Sequence, residues 1–69
     1  MKQKYKKIEF DLVEGRWYCY NKKSGEELGK VYYYQPWKKY VFDMKEDIVF
    51  DLSCLKDVID FMEQLRKRK

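Results

Sequence analysis

Sixty-nine residues make one domain, near the size at which a single hydrophobic core barely offsets the entropy of ordering the chain, so a cleft enclosing a drug-sized substrate is disfavoured from the start. Charged residues are 41% of the chain and aromatic residues 19%, and the large buried area of each ring lets so polar a chain fold, which argues against disorder. The net charge of +4 sits at the ends, with four lysines in residues 1–7 and Arg-Lys-Arg-Lys at 66–69, while residues 8–65 sum to −4; net charge alone is therefore no mark of a nucleic-acid binder.

Residues 1–7, "MKQKYKK", read as a flexible basic tail, like 66–69. No apolar run of secretory length follows and no stretch is long enough to cross a bilayer, which leads us to expect a soluble, intracellular protein of the cytoplasm, without membrane contact. Ile8, Phe10 and Leu12 alternate with Glu9 and Asp11, the period of a strand with one wet face, and Glu14-Gly15 ends it. Residues 16–22 and 28–34 predict two further strands. Between them Ser24-Gly25 supplies the positive φ of a hairpin loop and Asn21 can bond its own backbone, so these strands are expected to be antiparallel neighbours. Pro36 lacks an amide donor and turns the chain before a fourth strand at 37–43.

After the turn "MKED", Ile48, Phe50 and Leu52 alternate as a short fifth segment. Ser53 then stands where a helix N-cap is wanted, and Leu55, Val58, Ile59, Met62 and Leu65 form an apolar stripe. Asp57 near the positive end of the helix dipole and the terminal Arg-Lys-Arg-Lys near the negative end both assist. The expected fold is a single α+β domain, residues 1–69: an antiparallel sheet of four to five strands with one C-terminal helix packed on one face.

A lone helix covers one face only, so surplus rings must meet water. On strict alternation Trp17 and Cys19 oppose Tyr18 and Tyr20, Val31 and Tyr33 oppose Tyr32 and Tyr34, and Tyr40, Phe42 and Met44 oppose Trp37, Lys39 and Val41. Rings occur in both sets, so alternation does not say which set is inward. Several of Trp17, Tyr18, Tyr20, Tyr32, Tyr33, Tyr34, Trp37 and Tyr40 stay partly exposed either way. Residues 16–40 are basic, six cations against Glu26 and Glu27, whereas 41–65 hold seven acids against Lys45 and Lys56.

Catalytic chemistry has little to work with. Histidine and threonine are absent and the only serines are Ser24 and Ser53, which excludes a Ser-His-Asp or Cys-His arrangement and leaves acid–base work to carboxylates or tyrosines. Asp43, Glu46, Asp47 and Asp51 cluster in "DMKEDIVFD", but without the glycine at the bend of an EF-hand loop they read as a solvated turn and not a metal site. Three glycines give no phosphate-cradling spacing. Cys19 and Cys54 lack C-x-x-C spacing and are expected reduced and at least partly buried. The expectation is a protein without cofactor or enzymatic activity.

"NKKSG", "LG" two residues on, "PWKKYVF" and "CLKDVIDFMEQL" together resemble a group of small, uncharacterised phage and prophage proteins. In these an Asn-Lys-Lys/Arg-Ser-Gly hairpin leads to a Trp-x-x-Tyr-x-Phe strand and a Cys-Leu-x-x-Ile-x-x-Phe helix. The likeness covers residues 8–65, with Val58 where the group carries isoleucine. It implies an origin in a phage or mobile element and no particular activity.

Exposed rings stack on bases and interleaved cations hold phosphates, so the candidate nucleic-acid-binding residues are Arg16, Trp17, Lys30, Tyr32, Tyr34, Trp37, Lys38 and Lys39 on a basic aromatic sheet face. The rival reading is a protein–protein interaction module. Tyr, Trp and Arg are enriched at interface hot spots, so the same face could cap a host enzyme or defence complex, or close a homodimer.

Overall fold

Alternating apolar residues and three short turns fold the chain as a meander, described here for residues 1–67 by a computed structural model. Strands β1 (Ile8–Val13), β2 (Arg16–Asn21), β3 (Glu27–Tyr34) and β4 (Lys39–Met44) form one antiparallel sheet in the order β1-β2-β3-β4, followed by helix α1 (Leu52–Lys67). The α+β layout is the one the sequence predicts. Among the described residues no helix is long and apolar enough to cross a membrane.

Each turn has a local cause. Val13 pairs with Arg16 across a two-residue loop in which Glu14 and Gly15 have φ of 49° and 82°, the left-handed pair that matches strand twist. At the β2–β3 turn the Asn21 carboxamide oxygen accepts the amides of Lys23 at 2.9 Å and Ser24 at 3.1 Å, and Gly25 takes a φ of 78°. Residues 35–38 form the β3–β4 turn, where the amides of Trp37 and Lys38 donate to the carbonyls of Tyr34 and Gln35. Pro36 therefore lies within the turn, and the fourth strand starts at Lys39 instead of residue 37.

A bulge between Cys19 and Tyr20 leaves Leu28 as the extra residue, because Cys19 faces Gly29 while Tyr20 faces Glu27. The irregularity turns Leu28 into the core, where it is buried.

The expected fifth segment is not a strand. Ile48 and Phe50 are half-buried against the core and Val49 is 92% exposed, so the alternation is real. It records packing of the β4–α1 connection against the core, where Phe50 meets Phe42 of β4 at 5.7 Å between ring centroids.

The first seven residues are not a loose tail either. Tyr5 is only 5% exposed, donates its hydroxyl to Asp60 of α1 at 2.8 Å and sets its ring edge-on to Phe10 at 6.0 Å. The amide of Phe10 donates to the carbonyl of Gln3, the amide of Tyr5 to that of Ile8, and Lys4 bridges Glu9, so residues 3–5 cover the start of the β1 edge. Gln64 holds Lys2 through paired amide contacts of 2.8 and 2.9 Å. Burial, then the hydrogen bond to Asp60, raises the Tyr5 phenol well above its ordinary value. Of the expected C-terminal tail, Arg66 and Lys67 end the helix; Arg68 and Lys69 lie outside the described residues.

The core lies between the sheet and α1. Phe61 and Phe10 are stacked at 3.9 Å between centroids with rings 1° from parallel, and Trp17 meets Phe61 edge-on at 5.2 Å. The buried helix residues are Cys54, Val58, Phe61 and Leu65. This corrects the expected stripe: Val58 and Leu65 belong to it, whereas Leu55 and Ile59 are exposed. Helical spacing permits both seams, and the rings of Phe10 and Trp17 select the one that contains Phe61.

The cap of α1 is Asp51, not Ser53. Its carboxylate accepts the amide of Cys54 and the hydroxyl of Ser53, both at 2.8 Å, and a contact of 2.7 Å from Lys7 ties it to the N-terminal segment. The Lys7 bond first, then the Cys54 amide, holds this carboxyl well below the usual aspartate range. Its contribution to folding is therefore complete above the unfolded value of about 3.9 and fades as pH falls below that toward the lower folded value. Wild type is expected to lose urea resistance as pH drops from about 4 to 2, and Asp51→Asn to start lower at neutral pH and fall less over that interval. Equal acid slopes in the two proteins would reject this assignment.

Candidate functional site

The face of the sheet away from α1 is wet. Asp11, Tyr18, Lys30 and Asp43 lie in register in one row across the strands, and Glu9, Tyr20 and Glu27 in the next. Several side chains of this face pair with one another. The Arg16 guanidinium sits 5.3 Å from the centre of the Tyr32 ring, the Tyr32 hydroxyl donates to Asp43 at 3.1 Å, and Lys30 and Lys45 lie 3.9 and 3.8 Å from Asp43 and Glu27. Partial burial, then the Asp43 bond, raises the Tyr32 phenol. Such pairs stabilise a sheet. Because Arg16, Lys30 and Lys39 are interleaved with Glu9, Asp11, Glu27 and Asp43, this face carries no net positive stripe.

The eight predicted binding residues divide into three places. Arg16, Lys30, Tyr32 and Tyr34 belong to the wet face, and Lys39, which pairs with Tyr34 at the hairpin end, has a side chain that also reaches the rim of the groove on the helix side. Trp37 and Lys38 lie in the β3–β4 turn, where Trp37 is 66% exposed and meets Tyr34 edge-on at 5.2 Å. Trp17 is removed from the set: it is buried under α1 against Phe61, because its strand parity is that of Phe10 and Cys19, the core side.

On the helix side, the β3–β4 hairpin extends past the part of the sheet that α1 covers. An open groove of about 550 Å³ lies there. Its floor is Tyr33 and Tyr40, edge-on at 5.4 Å, with Ile59 and Met62 of α1; its rim is Lys38, Lys39, Arg66 and Glu63. Arg66 and Glu63 are paired at 2.6 Å, which leaves Lys38 and Lys39 to give the rim its sign. Ile59 is 59% exposed and continues as an uncovered helix stripe through Leu55 and Leu52, at 40% and 68%.

Sequence reasoning missed Tyr33, Tyr40, Ile59, Met62 and Arg66 as one site. A signal for it exists: α1 carries more apolar positions than one seam uses. The acids of "DMKEDIVFD" do not converge, since Asp43 serves the sheet face and Asp51 the helix cap. Neither thiol is activated. Burial pushes Cys19 up to about 12 and, with the Asp51 hydrogen bond, also raises Cys54, so both remain protonated at neutral pH. No protein-family model, no curated protein and no solved structure matches the chain.

Proposed function

We propose that this is a non-enzymatic binding module whose working surface is the groove between the β3–β4 hairpin and the C-terminal half of α1, and whose partner is a protein segment with an apolar side chain flanked by carboxylates. The observation that carries the reading is the open floor of Tyr33, Tyr40, Ile59 and Met62 beside a largely exposed Trp37, under a lysine rim. Contiguous apolar surface of this kind releases water on docking, and Trp and Tyr are the side chains that anchor interfaces. The lysines favour acidic flanks and raise the association rate. Nucleic acid on the wet sheet face is less well supported, because the acids of that face alternate with its cations. The phage resemblance makes a host protein the natural source of the partner.

Trp37→Ala and Ile59→Glu test this. Both positions are exposed, so urea midpoints are expected to stay within about 0.5 kcal/mol of wild type. In pull-downs from nuclease-treated host extract, wild type is expected to retain a protein partner that both variants lose by roughly tenfold or more, the scale of a hot-spot truncation. Capture that disappears with nuclease, or that survives both substitutions, would overturn the reading. Light scattering of wild type identifies the case in which the partner is a second copy.

A further inference from the structure

A second cleft lies at the other end of β3, by the β2–β3 turn. Lys6 and Lys7 of the N-terminal segment and Lys22 and Lys23 of the turn surround Asn21 there, enclosing an open volume of about 460 Å³. We propose that this cleft holds the phosphate backbone of a nucleic acid, independently of the groove.

The lysines are brought together by the fold. The amide of Lys22 donates to the carbonyl of Lys7 at 3.0 Å, and the Lys22 ammonium donates to the carbonyl of Tyr5 at 3.1 Å. Tyr5 is anchored in the core, so two basic pairs far apart in sequence are locked side by side. Asp51 already occupies the Lys7 ammonium; Glu26 lies in the adjoining turn, and Glu9 and Glu27 flank Tyr20 on the wet face, where Glu27 is paired with Lys45. The side-chain ammonium groups of Lys6 and Lys23 have no hydrogen-bond or ion-pair partner among the described residues. Two uncommitted ammonium groups lining one cleft, Lys6 from the N-terminal segment and Lys23 from the turn, with Lys7 and Lys22 beside them, suit a chain of regularly spaced negative charges. A concave cleft fits an extended polyanion better than the flat surface of a membrane.

The test uses the full chain, a labelled oligothymidylate, a labelled duplex and phosphatidylserine vesicles, over a range of salt. Wild type is expected to bind the oligonucleotides with a strong salt dependence. Lys6→Gln/Lys23→Gln should weaken binding by about tenfold at moderate salt and lower the slope of log affinity against log salt by about two. Lys38→Gln/Lys39→Gln and Trp37→Ala should leave it unchanged, so failure here and failure of the groove reading are distinguishable. Urea midpoints equal to wild type establish that all variants are folded. Absent oligonucleotide binding, an unaltered slope in Lys6→Gln/Lys23→Gln, an equal loss in Lys38→Gln/Lys39→Gln, or binding to vesicles alone would each overturn the proposal.

Discussion

Phe61→Ala is expected to leave the protein largely unfolded at room temperature. The ring is fully buried, lies flat on Phe10 and takes the edge of Trp17, so it joins the helix to the first two strands at one point. Truncating a buried phenylalanine costs about 3–5 kcal/mol. A domain of this length has only roughly 3–10 kcal/mol in total. Far-ultraviolet circular dichroism in increasing urea gives the readout: a variant with little or no folded baseline in water is expected. Phe61→Leu, which keeps most of the volume and loses the stacking, should fold with a loss nearer 1.5 kcal/mol. A cooperative Phe61→Ala transition close to that of wild type would show that the stack is not what fastens the helix.

Gly29→Ala should be nearly as damaging, for the opposite reason. A Cβ on Gly29 would stand 2.6 Å from the carbonyl oxygen of Asp43 and 2.9 Å from the Phe42 ring. The first contact is backbone of the neighbouring strand, which cannot step aside without opening the β3–β4 ladder. Overpacking typically costs about 1–3 kcal/mol, and a backbone contact this short belongs at the upper end of that range or beyond it. Gly25→Ala is the control: nothing lies within 4 Å of the added atom, and only its left-handed backbone, about 1–2 kcal/mol, is at stake. Urea midpoints should fall further for Gly29→Ala than for Gly25→Ala, and the reverse order would refute the close-approach argument.

The strands and their turns were legible because alternation and turn chemistry are local. Glu14-Gly15, Asn21 and Ser24-Gly25 each act within a few residues of themselves. Face and phase were not legible. Trp17 and Tyr18 are equally apolar candidates on neighbouring parities, and only the arrival of Phe61 decides between them. In α1 the seam through Leu55 and Ile59 and the seam through Cys54 and Phe61 both satisfy helical spacing, so the rotation of the helix is set by tertiary contact. Asp51 and Ser53 are both good caps two residues apart, and Lys7, distant in sequence, favours Asp51. Tyr5 was hidden by the four lysines around it. For the candidate site, composition pointed to the aromatic and basic residues of the strands, but the Tyr33–Tyr40 pair on the helix side had to wait for the register of β3 with β4.

The two rims of the sheet differ in a way that bears on self-assembly. Residues 3–5 lie along the start of β1, whereas among the described residues no strand or bridge pairs with the outer side of β4. Compared with the start of β1, recruitment of a strand from outside is thus easier along β4. Two molecules meeting there through a twofold axis would complete a layer of eight strands with a capped rim at each end. Growth by this route would be hindered beyond the pair, because residues 3–5 already hydrogen-bond the start of β1.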